Sequence, residues 1–223
     1  MPRVLVTGAN RGIGLEFVRQ YAADGWQVIA CCRRPDEAEA LKEIKGDVSI
    51  EALDVTDDGQ IAKLATRLRG QPIDLLINNA GIYGSNSRVD MKDWLDVLRV
   101  NTIAPYRLAE RFAANVARSE GRSIVSITSM MGSIAENDSG GVPMYRSSKA
   151  ALNMAMKSLS IDLKDRGISV VVLHPGWVRT DMGGRSAPLA VQDSVASLRK
   201  TIGKLKPSDS GKFLNYDGRP VPW

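Results

Sequence analysis

Apolar residues along the chain fall into short runs separated by longer stretches with helical spacing. Runs rich in β-branched and aliphatic residues predict strands at 3–6, 27–31, 48–53, 74–77, 123–128 and 168–173, with a last short one at 212–214. Between them, apolar positions recurring every three to four residues predict helices near 12–24, 36–45, 57–69, 90–118 and 144–165. Strands that alternate with helices imply crossover connections, which set successive strands parallel and cover the sheet on both faces. The expectation is an α/β fold, a doubly wound Rossmann-type sheet of six or seven mostly parallel strands. No repeat, low-complexity linker or compositional shift marks a boundary, so residues 1–223 read as a single domain. The stretch 144–165 spreads Leu152, Met154, Met156, Leu159, Ile161 and Leu163 over more than one stripe. Such a helix is buried on more than one side, either wholly in its own core or partly against a second subunit.

Composition adds limits. A chain of 223 residues, 43% hydrophobic, can bury a substantial core. The net charge of +5 is moderately basic, but like charges are scattered rather than run together, which gives a nucleic-acid arm no support. No apolar stretch approaches the roughly 18 residues of a membrane span. The N-terminus passes directly into Val4-Leu5-Val6 without a charged leader, so a soluble cytoplasmic protein without membrane insertion is expected. The two cysteines, Cys31 and Cys32, are adjacent and cannot form an ordinary structural disulfide. With one histidine, His174, and no cysteine pair at ligand spacing, no metal site is expected.

The first strand runs into Thr7-Gly8-Ala9-Asn10-Arg11-Gly12-Ile13-Gly14, and a helical pattern follows. Glycines let the backbone turn sharply and approach a pyrophosphate, and a helix N-terminus offers it unpaired N–H groups. Gly8, Asn10, Arg11, Gly12, Ile13 and Gly14 therefore form a candidate phosphate-binding turn. The alternative, a plain glycine-rich strand-to-helix turn, is disfavoured by its place after the first strand of a βαβ unit. The second strand ends Cys31-Cys32-Arg33-Arg34, with no carboxylate until Asp36. An acidic residue there would suit the ribose hydroxyls of NAD, whereas a guanidinium suits a 2′-phosphate. Arg33 and Arg11 favour NADP(H) over NAD(H), unless Arg33 and Arg34 are merely solvated loop charges.

Tyr145 and Lys149 stand at i and i+4 on a predicted helix, on one face. A nearby ammonium stabilises tyrosinate, so the expectation is a phenol whose pKa is lowered toward neutrality for proton exchange. Alone, the pair is weak evidence. In company it resembles a known pattern. TGANRGIG at 7–14, Asn78-Asn79-Ala80-Gly81, Asn101, Ser129, Tyr145-x3-Lys149 and Pro175-Gly176 with Thr180 resemble the short-chain dehydrogenase/reductase family in order and interval. The resemblance covers nearly the whole chain. It implies a general acid/base in Tyr145, with Lys149 tuning it and holding the nicotinamide ribose. Ser129 would bond the substrate oxygen, and Asn101 would position a water in a proton relay through Lys149. Asp54 and Val55 would meet the adenine, and Asn79, Ala80 and Gly81 the adenine-ribose side. Pro175, Gly176, Val178 and Thr180 would meet the nicotinamide end.

Alternatives stand beside these roles. Asn78 serves either the site or the central sheet, and Asn101 is either a relay residue or a core or kink residue. The interval from Ser129 to Tyr145 is longer than many family members show, which makes Ser133 a rival and marks 130–143 as an insertion at the pocket mouth. His174 reads as a strand-end packing residue. Tyr145-Arg146-Ser147-Ser148-Lys149, the stretch from His174 to Gly184 and the ending from Tyr216 to Trp223 resemble a narrower branch, the C-factor-like proteins and related small carbonyl reductases. That branch implies a carbonyl reductase, or an intercellular-signalling or regulatory protein in which turnover is incidental. Residues 183–206 are left to cover the substrate, with Gly183 and Gly184 as a hinge. Met130, Met131, Ile134, Val142 and Trp177 suggest a partly apolar substrate. The family resemblance further implies a homodimer or homotetramer through helices 90–118 and 144–165. A serine hydrolase is excluded by the lack of a GxSxG elbow. Nucleotide-sugar epimerases usually carry a longer C-terminal region.

Overall fold

A computed structural model describes residues 1–85 and 89–223 of the protein. In chain order the elements are β1 (Arg3–Thr7), α1 (Gly12–Ala23), β2 (Gln27–Cys32), α2 (Glu39–Lys42), β3 (Val48–Ala52), α3 (Asp58–Arg67) and β4 (Leu75–Asn78). There follow α4 (Met91–Leu98), α5 (Ala104–Ala117), β5 (Ser123–Ile127), α6 (Pro143–Asp162), β6 (Ser169–His174), α7 (Val191–Ile202) and β7 (Phe213–Asn215). The strands form one seven-stranded sheet in the order β3-β2-β1-β4-β5-β6-β7, every pair parallel. The order reverses between β1 and β4, the switch point at which doubly wound sheets open a crevice at their C-terminal edge.

Strand alternation sorts the core into two layers. Leu5, Ile29, Leu76, Ile124 and Val170 pack with Ile61 and Leu64 of α3, Leu108 and Phe112 of α5, and Leu152 and Met156 of α6. Val4, Val28, Ile77, Val125 and Val171 pack with Phe17 and Val18 of α1, Leu41 of α2, and Val195 and Leu198 of α7. Consecutive strand residues point to opposite faces, so both layers are needed to bury strands that are apolar throughout.

Three elements depart from the periodicity. The helix expected at 36–45 is a 3-10 turn, Pro35–Glu37, followed by the short α2. The helix expected at 90–118 is broken into α4, a π turn at Arg99–Ile103, and α5. Pro105 explains the break: it has no N–H to return to the Asn101 carbonyl four residues back, and its ring crowds that carbonyl. The expected 183–206 cover is divided. Its second half forms α7, which buries Ser194, Val195, Leu198 and Thr201. All seven strands differ from expectation by one residue at one or both ends. Among the described residues, no helix is long and apolar enough to cross a membrane.

Candidate active site

The ends of β1 and β4 are locked together by side chains. Thr7, the last residue of β1, is buried, and its Oγ1 accepts from the main-chain N–H groups of Asn79 and Ala80 at 3.0 and 3.1 Å. Asn79 Nδ2 donates back to the carbonyls of Thr7 and Gly8 at 3.0 and 3.2 Å. The two loops lie so close that a Cβ on Gly8, where φ is +64°, would stand 2.9 Å from Ala80 Cα. A Cβ on Gly14 would stand 2.2 Å from the Gly8 oxygen. These glycines are therefore required by packing, and the turn leads into α1. Arg11, the N-cap of α1, is extended and makes no side-chain cap, and no acidic residue occupies the first turn. A helix end left this way suits an anion. Asn10 and Arg11 are exposed there, while Gly12 and Ile13 are half-buried.

Across this turn lies the segment after β6. A Cβ on Gly12 would stand 3.4 Å from Thr180 Cγ2. Arg11 pairs with Asp181 at 2.7 Å, two exposed side chains bridging the crevice. Pro175 and Val178 are buried, and Gly176 takes a φ of +85° with no room for a side chain beside Leu189 and Tyr216. Trp177 Nε1 donates to the Gly183 oxygen at 2.8 Å, and Val178 bridges Leu189, closing the segment on itself.

After β2, Arg33 is exposed and its side chain makes no ion pair among the described residues, whereas Arg34 pairs with Glu37 at 2.9 Å. Asp54 Oδ1 accepts from Thr56 N and Oγ1 at 2.9 and 2.7 Å. Val55 is buried, its side chain packed in the core.

The chemical end is assembled around α6. Ser129, at the end of β5, caps a 3-10 turn, its Oγ accepting from Met131 N at 3.1 Å. Its hydroxyl lies near enough to the Tyr145 phenol to lower its pKa. Ser133 is committed elsewhere, donating to the Pro222 oxygen at 2.7 Å and accepting from Glu136 N at 3.2 Å. The contact with Tyr145 thus belongs to Ser129. Tyr145 and Lys149 are both buried, 8% and 4% exposed. Lys149 Nζ donates to the Ile127 oxygen at 2.9 Å and lies 5.7 Å from the Tyr145 ring centre. Burial pushes the Tyr145 phenol up to about 12, against the opposing pull of Ser129. Burial brings Lys149 down to about 8. The expected lowering of the phenol by the ammonium is therefore not what the protein alone displays. Burial is the largest influence on both groups, raising the phenol and lowering the ammonium.

Asn101, in the π turn, is buried, and its side chain is fully engaged. Its Oδ1 accepts from Ile82 N at 2.9 Å, and its Nδ2 donates to Ile82 O at 2.8 Å and Ser148 Oγ at 3.0 Å. Gly81 lies in the corner between them, where a Cβ would stand 3.3 Å from Asn101 Oδ1 and 3.7 Å from Lys149 Nζ. Asn78 belongs to the scaffold: its Nδ2 donates to Pro105 O at 3.1 Å and Ser126 Oγ at 3.3 Å. His174 is half-buried at the end of β6, its Nδ1 without a hydrogen-bond partner among the described residues, and burial lowers it to about 4, in keeping with packing.

The structure thus brings Ser129, Tyr145 and Lys149 together beside Gly81 and Asn101, and it gathers the glycine turn, Asn79, Ala80 and Thr180 along one crevice. Sequence reasoning passed over Thr7, Asn153 and Tyr83. Thr7 opens the glycine motif and could have been read as the strand-end hydroxyl that ties two loops. Asn153 bonds Thr128 Oγ1 at 2.7 Å and Gly132 O at 3.2 Å, pinning α6 to the Ser129 turn. Tyr83 packs its ring on Tyr145, with centroids 4.6 Å apart. Its place two residues beyond Gly81 was the only signal.

Comparison with known proteins agrees with this geometry. Residues 2–188 match the family model described as short chain dehydrogenase. C-signal of Myxococcus xanthus is 43% identical over 162 residues, which are 71% of this chain and 98% of that protein. Carbonyl reductase Sniffer of D. melanogaster superposes with a TM-score of 0.92 at 37% identity, covering 100% of both chains. The NADPH-bound carbonyl reductase from chicken fatty liver superposes with a TM-score of 0.90, also at 37% identity, covering 100% of this chain and 99% of that one. On its sheet order, its glycine turn and its serine, tyrosine and lysine, the chain belongs to the short-chain dehydrogenase family of oxidoreductases.

Proposed function

We propose that the protein is an NADP(H)-dependent carbonyl reductase acting on a small, partly apolar ketone or aldehyde. The observation that carries the reading is the gathering of Ser129, Tyr145 and Lys149 at one place: the Ser129 hydroxyl acts on the Tyr145 phenol and lowers its pKa, and Lys149 Nζ lies 5.7 Å from the Tyr145 ring centre. The crevice fits the dinucleotide. The α1 N-terminus has no side-chain cap, Gly8 and Gly14 leave no room for a Cβ, and Arg33, without an ion pair among the described residues, follows β2 where a carboxylate would suit NAD. Arg33 and Arg11 are the residues that would hold the 2′-phosphate and pyrophosphate. Asp54, the Val55 main chain, Asn79, Ala80 and Gly81 would hold the adenosine half. Lys149, Pro175, Gly176, Val178 and Thr180 would hold the nicotinamide half.

The chemistry NADPH supplies when bound is a hydride for the carbonyl carbon. Ser129 holds the carbonyl oxygen and Tyr145 gives it the phenol proton, so hydride and proton together make the alcohol. Lys149 returns a proton to Tyr145. With the Asn101 side chain engaged by Ile82 and Ser148, its main-chain oxygen is the part that serves a relay water, because Pro105 cannot donate to it. The cover over the substrate is the segment 177–190, with Gly183 and Gly184 as its hinge. Ile134 and Trp177, 80% and 56% exposed, give the mouth its apolar character. The same reading places the protein in the cytoplasm and makes it a homodimer or homotetramer. Exposed Leu95, Ile103, Met154 and Ile161 on α4 to α6 and the turn between them support that assembly. A monomer by light scattering at micromolar concentration refutes it.

The test is a fluorescence titration with NADPH and NADH, followed by turnover of a carbonyl panel by wild type and Tyr145→Phe. Tighter NADPH binding with turnover lost in the variant is the expected result. Binding of neither dinucleotide sinks the reading. A second reading is favoured by the 43% identity to C-signal: a dinucleotide-binding signalling protein with incidental turnover. A biological output that survives in Tyr145→Phe, while turnover is lost, selects it.

A further inference from the structure

The Tyr83 ring lies against the Tyr145 ring, centroids 4.6 Å apart and planes tilted by 34°. Offset, tilted packing of this kind is the favoured geometry for an aromatic pair. Tyr83 stands on the loop after β4, a segment that would ordinarily wander, but both of its neighbours are clamped. Ile82 exchanges two hydrogen bonds with the Asn101 side chain, at 2.9 and 2.8 Å. Gly84 takes a φ of +80° and is pressed on α4, where a Cβ would stand 2.8 Å from Val97 Cγ2. Ser85 N donates to Asp93 Oδ2 at 2.6 Å. The π turn and α4 thus hold one loop residue between them, and that residue is the aromatic ring on Tyr145. Tyr83 itself is half-buried, and the Tyr145 ring it packs on is buried.

We propose that Tyr83 is a positioning residue for Tyr145: its ring keeps the phenol turned toward Ser129 and shuts water away from it, so that the site is built to give a proton to a carbonyl oxygen rather than to take one from an alcohol. The inference rests on the carbonyl-reductase reading above. Its physical basis is desolvation, which disfavours tyrosinate and keeps the proton on oxygen until the reduced substrate draws it. Of the groups facing Tyr145, Tyr83 comes from the loop after β4, Ser129 from the end of β5, and Lys149 from α6 itself. On α4, Asp93 is turned to Ser85, and on α6 Arg146 is turned to the oxygens of Gly140 and Gly141. Burial raises the Tyr145 pKa most, the Ser129 hydroxyl lowers it and Tyr83 raises it.

The experiment compares wild type with Tyr83→Leu, Tyr83→Ala and Tyr83→Phe in two ways. Tyrosinate absorbance is titrated in each protein without cofactor and in its Tyr145→Phe counterpart, the difference giving Tyr145 alone. The pH profile of kcat/KM for ketone reduction by NADPH is then recorded. In Tyr83→Leu and Tyr83→Ala, the Tyr145 titration and the alkaline limb of the profile are expected to move down together by about one pH unit, while Tyr83→Phe stays near wild type. Ketone reduction with both curves unmoved overturns the role of Tyr83 and leaves the reductase reading standing. A wild type that reduces no ketone, even with a shifted titration, overturns the reading and the role of Tyr83 with it. Loss of kcat/KM through KM alone, with the limb unmoved, assigns Tyr83 to substrate contact and also overturns the proposal.

Discussion

Lys149 extends its ammonium to the main-chain oxygen of Ile127, 2.9 Å away, at the end of the strand that leads to Ser129. The bond couples the active-site helix to the sheet, but it holds a charge in a buried place. That cost has a direction with pH. The unfolded chain keeps the proton up to about 10.5, whereas the folded chain releases it from about 8. Between those values the unfolded state binds more protons, so stability rises with pH through the window and is lost as pH falls back through 8. Relative to Lys149→Met, wild type is expected to gain on the order of 2–3 kcal/mol across that window. Urea unfolding of both proteins at pH 7.5 and pH 10.5 measures it. A constant difference between them refutes the account.

Arg33, which follows β2, makes no ion pair among the described residues. Charge-assisted bonds to a phosphate contribute about 1.5–3 kcal/mol, so Arg33→Ala is expected to weaken NADPH binding by about 10- to 100-fold. NADH binding should change less than twofold. Calorimetric titration with both dinucleotides decides; equal losses would assign Arg33 to a general electrostatic role.

His174 gives the fold an acid-sensitive point. Burial lowers its pKa from 6.5 to about 4, so the unfolded chain takes up the proton first as pH falls. Stability is full above about 6.5 and declines as pH approaches 4. His174→Leu should reduce this decline, leaving only the carboxylates to drive it. Thermal melts of both proteins from pH 7 to 4.5 are the check. Parallel curves would contradict the assignment.

Val142 caps α6 with φ 42° and ψ 54°, a left-handed conformation that a β-branched residue adopts at a cost of roughly 1–2 kcal/mol. It follows Gly140 and Gly141, both also at positive φ. Val142→Asn relieves the strain and is expected to raise stability by about 1 kcal/mol, visible in the urea midpoint. A lowered midpoint would show that the valine side chain contributes more by packing than it costs in backbone strain.

The periodicity of the strands was enough to place the sheet, because a strand buried on both faces is apolar at nearly every position, as Val4-Leu5-Val6 and Leu75-Leu76-Ile77 are. The glycine turn was legible for a related reason. Gly8 and Gly14 occupy places where any side chain would meet backbone, and such places are written directly as residue type. Tyr145 and Lys149 could be paired from helical spacing alone. Other features depended on partners distant in the chain. The break at Asn101 was encoded by Pro105, but only the folded π turn shows the Asn101 side chain committed to Ile82 and Ser148. The choice of Ser129 over Ser133 turned on the 220–223 segment, which engages Ser133 across the fold. The balance of burial against charge at Tyr145 and the ring of Tyr83 upon it were likewise decided in three dimensions. Desolvation and ring packing are properties of what surrounds a residue, and spacing along the chain does not carry them.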